Sequence, residues 1–205
     1  MSPRTSHCRC ASTIVLYLTL LAGFAGLRAG ASDGDLGATV EWRTPPLRPG
    51  AYVSGRFAGV LAACLILFVA LVAFLAAGEI EELREHPPDV AATVLVCAGG
   101  LLTAAQFAAL GIMLACLTTR QFAAILFAAT LVATRTVVPE LASHHGVSAA
   151  LAALLPDPTR LDLTREFAFH RPVDGLATTA AIGCSALQSA ACLCVAEWAL
   201  RRRET

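Results

Sequence analysis

Long apolar runs alternate with polar connections along this chain, and the runs set the first expectation. Five stand out, near 11–27, 57–78, 90–119, 121–138 and 175–200. The second and third carry no charge. Gln106 lies inside the third, Arg135 near the end of the fourth, and Gln188 and Glu197 inside the fifth. A helix needs about 20 apolar residues to cross hydrocarbon. In that medium only helices and closed barrels satisfy their backbone groups. The short alternating segments of a barrel are missing, so helices are expected. The predicted fold class is all-α: a polytopic membrane helical bundle of about five transmembrane helices, forming one transmembrane domain over 1–205.

The connections differ in character. Segment 28–56 is long, rich in Pro and Gly, and carries Arg28, Arg43, Arg48 and Arg56. Segment 79–89 is acidic, with Glu79, Glu81, Glu82, Glu85 and Asp89 against Arg84. A tight turn bears Arg120. Segment 139–174 reads as a long loop, and the tail closes on Arg201, Arg202 and Arg203. With 79–89 outside, eight Arg face in and seven face out. Charges next to helix ends weigh most in orientation. The tail triplet abuts the last helix, whereas Arg160 and Arg165 lie far from any. This favours an inward C-terminus, with 28–56 cytoplasmic, 139–174 external, and the chain multi-pass in the inner (plasma) membrane.

The first run admits two readings. One is a spanning helix. The other is a secretory signal, with Arg4 and Arg9 ahead of the apolar core and Ala29-Gly30-Ala31 as an A-x-A cleavage site. Cleavage would invert the rest and put the tail triplet outside, against the inside rule.

Composition agrees with the membrane class. Hydrophobic residues make up 57%, charged residues 15%, and mean hydropathy is +0.68. A soluble domain carries about a quarter charged residues. All fifteen basic residues are Arg. Without Lys no phosphate-binding G-x-x-x-x-G-K-[ST] loop exists, so the chain cannot be a P-loop ATPase. Net charge is zero, and no nucleic-acid partner is expected.

Catalytic and metal chemistry finds little footing. No Ser-centred elbow, H-E-x-x-H or Gly-rich dinucleotide loop occurs. Six of the eight Cys lie in apolar runs and read as small hydrophobes. Cys8-Arg9-Cys10 and Cys192-Leu193-Cys194 have a spacing that can hold a soft metal, but His and carboxylate partners are sparse. His144-His145 reads as a solvated loop pair, with Glu140 four positions upstream as a conceivable metal partner. The expectation is no enzyme, no cofactor and no metal.

Pro46, Leu47, Tyr52, Gly55, Arg56, Phe57 and Gly59 form a patterned run. It resembles the segment before a membrane helix in ABC-2 type transporter permeases. Ala51 stands where that family has an acidic residue. The run from Leu154 to Leu163, with Pro156, Asp157 and Asp162, is similar to one in permeases associated with multi-copper enzyme maturation. Asp157 replaces Asn and Leu161 replaces Phe. The family has six helices, one more than is counted here, and the missing one would be the first. The resemblance covers 33–204. It implies a permease subunit that moves an unknown substrate, works with a separate ABC ATPase subunit, and forms a homodimer or a heterodimer with another permease. It implies that Arg43, Arg48, Tyr52, Gly55 and Arg56 serve as ATPase-coupling residues. Plain topology signalling is the simpler reading of each Arg. A non-transport membrane scaffold or assembly factor is the alternative function.

Polar groups within apolar runs need their own account. Gln106, Gln188 and Glu197 are candidate intramembrane polar residues. The two Gln read first as glue between helices, and Glu197 as an i,i+4 partner of Arg201. Gly99, Gly100, Thr103, Ala104 and Ala108 have the spacing of a close helix contact. Arg135 is expected to snorkel to the interface.

Overall fold

A computed structural model describes residues 17–30, 49–78, 90–143 and 175–203. All secondary structure among them is helical: α1 (17–30), α2 (Pro49–Gly78), α3 (Val90–Leu117), α4 (Arg120–Ser143) and α5 (Gly175–Arg203). The all-α expectation is met. Three stretches are long and apolar enough to cross a membrane: Pro49–Leu71, Cys97–Leu117 and Thr178–Arg202. The apolar part of α4, Gln121–Thr134, is shorter. Among the described residues there are five helices, three of which carry a stretch that meets the spanning criterion.

Helix boundaries depart from the hydropathy runs for identifiable reasons. α2 begins at Pro49, eight residues before the expected 57. Proline is favoured at a first helical position, because its missing N–H would be unpaired there anyway. Arg56 interrupts an apolar window without interrupting the helix. Likewise α1 runs past Arg28 to residue 30. The ends of the expected polar segment 28–56 are thus helical, and 31–48 lie outside the described residues. α4 continues through Pro139 to Ser143, so the first residues of the expected loop 139–174 are helical and 144–174 lie outside the described residues. Proline within a helix is tolerated when neighbouring groups satisfy the freed carbonyl.

Thr118 and Thr119 alone separate α3 from α4. The Thr118 N–H donates to the Leu114 carbonyl at 3.0 Å and its hydroxyl to the same oxygen at 2.8 Å. The Thr119 carbonyl accepts from the Ala123 N–H at 2.9 Å and so opens α4. A connection this short makes α3 and α4 an antiparallel hairpin.

α3 is the centre of the bundle. Within its spanning window 72% is buried, against 22% in α2 and 11% in α5. One face meets Leu18 and Ala22 of α1 and Val60, Cys64 and Phe68 of α2 through Ala104 and Ala108. Another packs Phe107, Leu110 and Leu114 on Ala123 and Phe127 of α4. Phe107 and Phe127 meet edge to face with centroids 6.2 Å apart, a geometry the ring quadrupoles favour. A third cluster joins Ile112 and Cys116 to Val53 of α2 and Ala196 and Ala199 of α5.

α1 and α3 approach backbone to backbone. A Cβ at Gly26 would lie 2.4 Å from the Ala108 carbonyl oxygen, and one at Gly111 would lie 2.4 Å from the Gly23 carbonyl oxygen. Any side chain there would force the helices apart. Gly30 closes on Ala115 and Ile112, so the residues of the A-x-A motif include one packed against α3. The expected small-residue face of α3 is used, with Thr103, Ala104 and Ala108 fully buried.

Candidate functional site

Among the described residues, most of the charge lies at one end of the bundle. Gly30 meets Ala115, Gly50 meets Glu197, and Val53 clusters with Cys116 and Ala199. The C-terminal ends of α1, α3 and α5 therefore lie together with the N-terminal ends of α2 and α4. Arg28, Arg56, Arg120, Arg201, Arg202 and Arg203 belong to this end, and Glu197 is its one acid among the described residues. The opposite end has only Arg135 and Glu140 among described charges. Basic residues at the C-terminus of α5 also suit its partial negative pole.

The first turns of α2 hold most of the expected coupling residues. Tyr52 packs partly into the α2–α3–α5 cluster. The Arg56 guanidinium stacks over the Tyr52 ring, 4.3 Å from its centroid. Four residues apart on a helix, the two side chains share a face, and a cation over an aromatic ring is attracted to its negative face. Gly55 and Gly59 point to open space, where an added Cβ would meet nothing within 4 Å. Arg43 and Arg48 lie outside the described residues.

Glu197 ties α2 to α5. A Cβ at Gly50 would stand 3.0 Å and 3.2 Å from the two Glu197 carboxylate oxygens, a tight contact that would push the carboxylate aside by a few tenths of an ångström. The same carboxylate accepts from Arg201 Nη2 at 2.5 Å and Nε at 3.1 Å, the expected i,i+4 pair. A carboxylate at the first turn of α2 also faces the positive pole of that helix.

Gln106 and Gln188 meet across the α3–α5 contact, where Gln106 Nε2 donates to Gln188 Oε1. Gln106 is 3% exposed, and its own Oε1 has no partner. Nearby hydroxyls are satisfied within their helices: Thr103 donates to the Gly99 carbonyl at 2.9 Å and Ser189 to the Ser185 carbonyl at 2.8 Å. The amide pair is a side-chain hydrogen bond between two helices. It joins the interior of two spanning stretches, as the glue reading expects.

Metal chemistry gains nothing from the fold. Among the described residues no cluster of His, Cys, Asp or Glu could hold an ion. Cys192 is half-buried and Cys194 exposed, because residues two apart on a helix point to different sides. That separates the C-x-C pair. Cys8, Cys10, His144 and His145 lie outside the described residues.

Compared with known proteins, the chain matches no family model, no curated protein and no solved structure.

The close α1–α3 crossing and the Gly50–Glu197 contact were not anticipated from the sequence. A signal for the first was present in the four-residue spacing of Gly26 and Gly30. The second had none, since it joins residues far apart in the chain.

Proposed function

We propose that this chain is an ABC-2-like permease subunit, multi-pass in the inner membrane, working with a separate ATPase and pairing with a second permease copy. One observation supports the coupling. Residues 49–59 of the segment that carries the permease resemblance form the first turns of α2, and Gly50 there rests against Glu197 of α5. A partner that pushes on Tyr52 or Arg56 moves a rigid helix. That helix is seated on α5, and α5 is clamped to α3 through Gln188 and Gln106. Rigid-body shifts of packed helices are a common way to transmit such a push. The planar guanidinium of Arg56 matches the geometry of a partner's carboxylate.

The test is affinity purification of the tagged full chain from its native membrane in mild detergent. Co-recovery of a nucleotide-binding subunit, reduced by Arg56→Ala, is the expected result. Recovery without any ATPase sinks the permease reading and leaves a scaffold or assembly factor.

A further inference from the structure

The outward face of α5 has the layout of a lipid-binding surface. Leu187, Ala191, Val195 and Trp198 follow one another at helical spacing, and all four are exposed. The stripe is apolar up to Trp198, itself half exposed, and then becomes basic at Arg201 and Arg202. The Arg202 guanidinium lies 4.1 Å from the Trp198 ring centroid, so the two form one amphipathic unit. Trp is favoured at headgroup depth. Arg201 spends part of its donor set on Glu197, yet its side chain is 67% exposed. The rest of that guanidinium is open to a second acceptor.

We infer that the last turns of α5 bind the headgroup of an anionic phospholipid, with the phosphate held by Arg201 and Arg202 and the acyl chains lying along Val195, Ala191 and Leu187. This rests on the membrane-spanning part of the reading above, not on the ATPase. Charge complementarity selects an anionic lipid over a zwitterionic one. Each arginine near a membrane surface is worth about a fivefold preference for anionic lipid.

Trp198 reports on its own surroundings. The chain has two Trp, so Trp42→Phe leaves Trp198 as the sole emitter. This variant of the full chain is reconstituted into phosphatidylcholine vesicles. Brominated phosphatidylglycerol or brominated phosphatidylcholine is then added as quencher. Expected is quenching by the anionic lipid at a several-fold lower mole fraction, with the preference abolished in Arg201→Gln/Arg202→Gln and kept in Arg28→Gln. Equal quenching by both lipids overturns the inference. So does a preference that Arg28→Gln removes as well, because the general surface potential then accounts for it. Quenching by neither lipid overturns it in favour of a protein partner over Trp198. An alkaline carbonate wash separates the two readings. A chain that washes off the vesicles defeats the membrane reading itself, whereas one that stays while showing no preference defeats only the lipid site.

Discussion

Gly26 and Gly30 of α1 share their four-residue spacing with Gly55 and Gly59 of α2, and the surroundings of the two pairs are opposite. A Cβ at Gly26 would strike the α3 backbone, whereas one at Gly55 or Gly59 would meet nothing within 4 Å. Spacing allows close approach but does not produce it. What decides is whether the facing helix is small in register. α3 offers Ala104, Ala108, Gly111 and Ala115 to α1. Without a hydrophobic drive between helices in lipid, such close van der Waals packing is a main source of association.

The sharpest way to break this contrast is Gly26→Leu. It is expected to cost at least about 3 kcal/mol through overpacking, read as loss of monodisperse protein in detergent chromatography. A folded, monodisperse variant would mean that α1 does not lie on α3 as described. Next in size comes the amide pair. Gln106→Leu removes its bond to Gln188 and should lower thermal stability by about 1 kcal/mol. The double change with Gln188→Leu should cost less than the sum of the singles. Strict additivity in that cycle would show the two amides to be uncoupled.

Gly50→Val should displace the Glu197 carboxylate and cost about 1 kcal/mol. It should weaken the link between α2 and α5, read as slower cross-linking of Cys pairs placed at their ends. Smallest of all is Gly55→Leu, expected within about 0.5 kcal/mol of the parent, since no described residue would lie within 4 Å of a Cβ there. A large loss of stability or of self-association from Gly55→Leu would reveal a second body seated on α2.

Much of this architecture is legible in the sequence because membrane helices announce themselves through composition. The runs at 90–119 and 175–200 locate α3 and α5 to within a few residues. Ends are less legible. Arg28, Arg56 and Pro139 lower a hydropathy average, but a helix can carry each of them. The Gln106–Gln188 pair was anticipated as a type of contact without its partners being assigned. Nothing in either local sequence says which amide faces which. The Gly50–Glu197 contact was illegible for the same reason: glycine at a helix start is common, and its closeness to Glu197 appears only once α5 is in place. Glu197 and Arg201, by contrast, are close in sequence, and simple helical spacing found them.

The Gln106–Gln188 bond also has a temporal side. Its partners are 82 residues apart in the chain. During synthesis α3 emerges well before α5 exists, and α3 is the helix around which the others gather. Its buried amide then waits without its partner through the making of α4 and of everything up to 175. A nascent chain stopped before α5 presents that lone polar group to lipid or to a quality-control protease. Completion of the last helix is what removes it from view.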